Sequence, residues 1–137
     1  PLPWANEGEL PGKKCYCGRT GCLETFISGP AIEREFKNLH GRNLNMKNIV
    51  RESGAGNLKA EQVIKNLEDR LARALAHVIN ILDPDSIVLG GGLSNIDRLY
   101  SNVPKIWAEY IFSDDVSTEL SKARFGDSSG VRGAAWL

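Results

Sequence analysis

A chain of 137 residues, 42% of them hydrophobic, has the length and apolar content for one ordinary domain. Its 17 basic and 17 acidic residues cancel, and no basic run supplies the phosphate neutralisation that dominates nucleic-acid affinity, so no nucleic-acid partner is expected. No apolar stretch reaches the roughly 18 to 20 residues of a membrane span and no charged n-region leads an apolar segment, so no membrane partner is expected and the compartment is read as cytoplasmic.

The chain opens on Pro-Leu-Pro-Trp without an initiator Met and reads as a piece of something longer. Residues 1–14 are polar, with Leu2, Trp4 and Leu10 as the expected anchors. Next come Cys15, Cys17 and Cys22 in C-Y-C-G-R-T-G-C, which use every cysteine of the chain. A tight loop that aims several sulfurs at one point builds a Zn²⁺ site, and Gly18 and Gly21 lie where the backbone has to fold back. A disulfide leaves one of three sulfurs over and strains a C-x-C pair; inert thiols are the other alternative. Zinc is the default metal, yet a structural site takes four ligands and the loop offers three. His40, in a polar turn before Gly41, and His77, inside a helical pattern, are read as surface or packing residues.

Glu24 stands two residues past the last cysteine, at a helix start. It is either a solvated carboxylate favoured by the helix dipole or an acid held rigidly by the loop to accept hydrogen bonds from adjacent polyol hydroxyls. Phe26, Ile27, Ile32, Phe36 and Leu39 predict helix, broken near Ser28-Gly29-Pro30. A short helix is expected over 45–52, ended by Ser53, Gly54 and Gly56.

The strongest periodicity runs over 58–82, where Ala60, Ile64, Leu67, Leu71, Ala74, Val78 and Ile81 form one apolar stripe. Glu61/Lys65 and Asp69/Arg73 are expected as pairs on the wet face. The stripe is read as core, with a coiled-coil partner helix as the alternative, and Asp83-Pro84 ends it. Ser86 to Leu89 is a buried strand by pattern. The following Gly90, Gly91 and Gly92 are either a plain tight turn or a place where a nucleotide approaches the backbone; they match neither a Walker A loop nor G-x-G-x-x-G.

Ser94 or Asn95 is expected to cap a helix carrying Ile96, Leu99, Val103, Ile106, Trp107, Tyr110 and Ile111, shortened or kinked by Pro104. Residues 116–125 read as extended. Asp127, Ser128 and Ser129 read as capping residues in the turn before a small-residue helix, Val131 to Leu137, with a phosphate or metal contact as the alternative.

C-Y-C-G-R-T-G-C-L-E-T at 15–25, I-L-D-P-D-S-I-V-L-G-G-G at 81–92 and G-D-S-S-G-V-R-G-A-A at 126–135 resemble the carboxy-terminal half of ROK-family sugar kinases. The opening P-L-P-W and the ending G-D-S-S-G-V-R-G-A-A-W-L are most similar to the bacterial fructokinase (manno/fructokinase) members. The resemblance implies an α/β fold, the helix-rich carboxy-terminal lobe of an actin-like (ribonuclease-H-like) ATPase, spanning 1–137 with a zinc loop at 15–24. It implies transfer of the γ-phosphoryl group of ATP, with Mg²⁺, to the 6-hydroxyl of a hexose, fructose being expected, in a homo-oligomer. By position, Cys15, Cys17 and Cys22 become ligands of a structural zinc, Glu24 a sugar-hydroxyl acceptor, and Gly90, Gly91 and Gly92 part of the nucleotide pocket.

The family's fourth zinc ligand, a histidine of an E-x-G-H motif, belongs just upstream of Pro1. The phosphate-binding D-x-G-x-T loop and the general-base aspartate belong to the amino-terminal lobe, so no residue here is assigned as catalytic and the chain alone is expected to be inactive. The alternative reading is the ligand-sensing lobe of a sugar-responsive ROK repressor carrying a separate helix-turn-helix. A free-standing zinc module is a third, for which the charge balance supplies no basic face.

Overall fold

Ser28 divides the first helical stretch, as its position before Gly29-Pro30 predicts. Helix α1, Glu24–Ile27, stops at its extended backbone, and its Oγ accepts the Ala31 N–H at 3.3 Å to open α2, Gly29–His40. Pro30 sits in the first turn, where a missing N–H costs nothing. Asn45 caps α3, Met46–Gly54, by accepting the Asn48 N–H at 2.9 Å. Asn57 does the same for α4, Leu58–Leu82, accepting from Lys59 and Ala60 at 3.0 and 3.3 Å. The computed structural model describes residues 1–135, in two compact units that divide after Ala74.

In the first unit the core is made by Ile32 and Phe36 of α2, Ile49 of α3, and Val63, Ile64 and Leu67 of α4, all fully buried. The predicted stripe of α4 is buried from Ala60 to Ala74.

Two expectations for this unit are corrected. Trp4 and Leu10 are exposed, at 51% and 62%, and only Leu2 of the three expected anchors is buried. What fastens the opening segment is Glu9, a carboxylate no apolar pattern marks. Its Oε1 accepts from Arg70 Nε at 2.7 Å and Arg73 Nη2 at 2.8 Å, and its Oε2 from Arg73 Nη1 at 2.9 Å. Arg73 also donates to the carbonyls of Pro3 and Trp4, at 3.2 and 2.9 Å. The Asp69–Arg73 pair therefore exists, at 2.7 Å, but with Arg73 buried under the opening segment instead of on a wet face. Lys65 and Glu61 do pair on the wet side, at 3.9 Å.

In the second unit β1, Ser86–Leu89, lies parallel to β2, Glu119–Lys122, with Ser86 opposite Glu119 and Leu89 opposite Lys122. Parallel neighbours need a long crossover. It contains α5, Arg98–Trp107, which buries Leu99, Val103 and Trp107 along one face and packs on β2. Strand β1 is not fully buried as expected: Ser86 and Val88 are exposed and Ile87 and Leu89 half-buried, and β2 is its one paired neighbour among the described residues. The predicted helix start is also corrected. Ser94 is fully buried and donates its hydroxyl to the Gly91 carbonyl at 2.7 Å, closing a short 3₁₀ turn, Gly92–Asn95, so the α-helix begins only at Arg98. Pro104 lies inside α5, which ends three residues later. The final helix, α6, is Ser129–Ala134; Trp136 and Leu137, at the end of the expected helix, lie outside the described residues. Among the described residues no helix is long and apolar enough to cross a membrane.

Candidate metal centre and adjoining groove

The cysteine segment is a small hairpin. Lys14 and Thr20 form an antiparallel bridge, the Cys15 N–H donates to the Arg19 carbonyl at 2.8 Å, and the Gly21 N–H to that of Lys13 at 3.0 Å. At its tip the Gly18 N–H returns to the Cys15 carbonyl at 3.0 Å, with φ of 85° at Gly18, a value glycine adopts without strain. At its base two backbones cross: a Cβ on Gly12 would come within 2.5 Å of the Gly21 Cα.

Folded this way, the loop brings Cys15, Cys17 and Cys22 together with all three Sγ atoms within 4.8 Å of one another. The Cys17 and Cys22 sulfurs are 3.5 Å apart, beyond the ~2.05 Å of a disulfide, and all three thiols are free. Tetrahedral zinc, with Zn–S of about 2.3 Å, holds sulfurs roughly 3.8 Å apart. The backbone N–H of Arg19, helped by the neighbouring thiols, lowers the Cys17 thiol pKa. Cys22, hydrogen-bonded to Cys17, is pushed up to about 11. Crowded sulfurs resist losing their protons together unless a cation joins them, so the donor set fits a thiophilic divalent ion. Among the described residues neither His40 nor His77 joins this group. His40 is half-buried against Phe36, and His77 is exposed on α4.

Glu24 is tied directly to that loop. The Cys22 carbonyl accepts both the Thr25 N–H, at 2.9 Å, and the Thr25 hydroxyl, at 2.7 Å, so the last cysteine and the first turn of α1 form one unit. The Glu24 carbonyl accepts the Ser28 hydroxyl at 2.7 Å. The Glu24 carboxylate has no partner among the described residues and lines a groove of about 410 Å³ shared with Lys13, Lys14, Tyr16, Ser28 and Arg34. That volume falls within the ~300–1,000 Å³ of small-molecule sites.

In the second unit the glycine run meets the later turn. The Gly91 N–H donates to the Asp127 carbonyl at 3.2 Å, and Asn95 Nδ2 donates to Asp127 Oδ2 at 3.2 Å. Asp127 therefore holds two turns together, and the expectation that it caps the final helix is corrected: Ser128 is the N-cap of α6 and makes no side-chain cap bond. Gly91 has φ of 73°, and a Cβ on Gly90, Gly91 or Gly92 would meet nothing within 4 Å. The turn is both conformationally special and open.

Sequence reasoning passed over Glu9 with Arg70 and Arg73, and Tyr16. An i,i+3 pair of arginines on one helix is the sequence signal for the first; Tyr16, between two cysteines, carries no pattern of its own.

The ROK family model matches residues 7–137. The chain belongs to the ROK family. An N-acetyl-D-glucosamine kinase of Pectobacterium carotovorum subsp. carotovorum (strain PC1) is 37% identical over 129 residues, 94% of this chain and 42% of that protein. The crystal structure of a ROK hexokinase from Thermus thermophilus superposes with a TM-score of 0.78 at 29% identity, over 91% of this chain and 44% of that one. A ROK-family transcriptional regulator, a homolog of the E. coli MLC protein, superposes with a TM-score of 0.76 at 27% identity, over 92% of this chain and 35% of its own. The chain thus spans under half the length of the curated ROK relatives it matches. Its helix-rich α/β fold is that of ROK proteins, an actin-like ATPase fold.

Proposed function

We propose that this chain is the carboxy-terminal lobe of an ATP-dependent hexose kinase of the ROK family, contributing a structural zinc loop, one wall of the sugar site and part of the nucleotide pocket. The observation that carries the reading is the fastening of three convergent thiols, through Cys22 and Thr25, to the turn that holds Glu24 on a groove.

Cys15, Cys17 and Cys22 would hold the ion, with a fourth ligand from the preceding lobe. Bound there, zinc supplies rigidity alone, since a closed four-ligand site leaves no position for substrate. Glu24 accepts hydrogen bonds from neighbouring hydroxyls and so orients the sugar. The open turn at Gly90, Gly91 and Gly92, braced by Asp127, admits the nucleotide to its backbone. The γ-phosphoryl group passes from Mg-ATP to the 6-hydroxyl, giving hexose 6-phosphate and ADP, and the hydroxyl proton goes to a carboxylate of the preceding lobe. Positioning and charge stabilisation account for most of such a reaction, which suits a lobe that orients and does not take the proton. The proposed compartment is the cytoplasm, where ATP is at hand, and the proposed assembly a homo-oligomer.

Fructose is the proposed hexose, supported by the likeness of the opening and ending segments to fructokinases. N-acetyl-D-glucosamine is the competitor, supported by the relatives named as its kinases. The full-length protein, assayed for ADP release with fructose, mannose, glucose and N-acetyl-D-glucosamine, is expected to give its highest kcat/KM with fructose. A highest value with N-acetyl-D-glucosamine overturns the choice of sugar and keeps the kinase. The likeness to a ROK transcriptional regulator supports a second reading, a sugar-sensing lobe; sugar binding without phosphorylation of any of the four would establish it.

A further inference from the structure

Tyr16 is the residue between two of the convergent cysteines, and its side chain is 91% exposed. It is also a wall of the groove that Glu24 lines. The other large apolar side chains exposed in the first unit, Trp4, Leu10, Leu39 and Leu58, line neither that groove nor the polar one beside Glu9. The phenol and ring of Tyr16 have no partner among the described residues. Its backbone, by contrast, lies within a turn closed at the preceding residue: the Cys15 N–H donates to the Arg19 carbonyl, and the Cys15 carbonyl accepts the Gly18 N–H. An aromatic ring held out on a stiff turn, uncovered and unbonded, leaves apolar surface in water with no return from the fold itself.

We propose that Tyr16 is a specificity-determining contact, the platform on which the apolar C–H face of the sugar rests while Glu24 takes its hydroxyl rim. This deepens the hexose-kinase reading and rests on it. A sugar ring has two kinds of surface, a rim of hydroxyls and faces of C–H groups. A carboxylate matches the first and an aromatic ring the second, and this groove presents both from one stiffened loop and the turn bonded to it. The methyl of an acetamido group, apolar although it projects from the rim, would reach the same ring, so Tyr16 also bears on which hexose is accepted.

The test uses the full-length protein with Tyr16→Ala, Tyr16→Phe and Glu24→Ala, with zinc content measured for each. Tyr16→Ala is expected to raise the KM for the preferred sugar about tenfold, as the loss of one aromatic contact does, and to leave zinc content and the KM for ATP unchanged. Tyr16→Phe is expected to stay within about twofold of wild type, because the ring and not the hydroxyl makes the contact. Saturation-transfer NMR gives a readout independent of turnover: irradiating aromatic protons is expected to carry saturation to sugar C–H protons in wild type and Tyr16→Phe, and far less in Tyr16→Ala. An unchanged sugar KM and unchanged transfer in Tyr16→Ala, with a raised KM in Glu24→Ala, overturns the role of Tyr16 and leaves the kinase reading intact. Unchanged sugar binding in both variants overturns both.

Discussion

Thr25 gives both its hydroxyl and its backbone N–H to the carbonyl oxygen of Cys22, at 2.7 and 2.9 Å. One oxygen thus joins the sulfur loop to the helical turn whose first residue is Glu24. Whatever fixes the cysteines therefore fixes the backbone from which Glu24 projects into the groove.

Cys17→Ser in the full-length protein removes one of three sulfur donors from a group that spans 4.8 Å. Zinc should be lost, and with Glu24 no longer held the sugar KM should rise about tenfold, the scale on which loss of preorganisation weakens binding. Unchanged zinc and unchanged kinetics would refute the coupling.

Glu24→Ala should act on one substrate only. Losing hydrogen bonds to a charged acceptor costs about 1.5–3 kcal/mol, so the sugar KM should rise roughly 10- to 100-fold while the KM for ATP stays within about twofold. Steady-state kinetics with each substrate varied in turn decides it, and an equal loss of both affinities counts against the assignment.

Glu9→Gln should destabilise the first unit by about 1.5–3 kcal/mol, because it removes the charge that Arg70 and Arg73 share and leaves them only Glu35 and Asp69 as carboxylate partners. Burial alone pushes the Glu9 carboxyl up, but the hydrogen bonds from Arg73 and Arg70 overcome it and hold the pKa at about 2, below the ordinary 4.5. A depressed folded-state pKa stabilises the fold above pH 4.5, and that contribution is lost as the pH falls toward about 2. Urea unfolding at pH 7 and through this acid window should therefore show wild type losing stability and Glu9→Gln losing less.

Two glycines of the cysteine loop should behave differently. Gly18 has open space around it, so Gly18→Ala at φ 85° carries only the left-handed backbone cost of about 1–2 kcal/mol and should keep its metal. Gly12 combines φ of 84° with a Cβ position 2.5 Å from the Gly21 Cα. Gly12→Ala adds to that backbone cost an overpacking cost of about 1–3 kcal/mol, and it should open the base of the hairpin and release zinc. Metal analysis and thermal unfolding of the two variants give the comparison, and equal behaviour would contradict it.

Much of this was legible in the sequence because the signals were local. Ser28, Asn45 and Asn57 cap helices within three residues of themselves, and the stripe from Ala60 to Ala74 is a property of one helix. The convergence of three sulfurs is likewise set inside one short hairpin. Contacts between distant segments were not legible. Glu9 meets Arg73 across 64 residues, which no periodicity records, and that pairing turned an expected wet face into a buried one. Asp127 reads locally as a cap, yet its bonds go to Gly91 and Asn95, 36 and 32 residues earlier. Strand β1 reads as buried because Ile87, Val88 and Leu89 are apolar, a pattern that specifies what a strand can bury and not whether neighbours are present.

Elemental analysis of the full-length protein, purified without chelator or added metal, tests the central claim most directly. One zinc per chain, with a sugar KM that rises when the zinc is stripped and recovers when it is restored, is the predicted result. Protein that phosphorylates its sugar at full rate with no stoichiometric metal would contradict it.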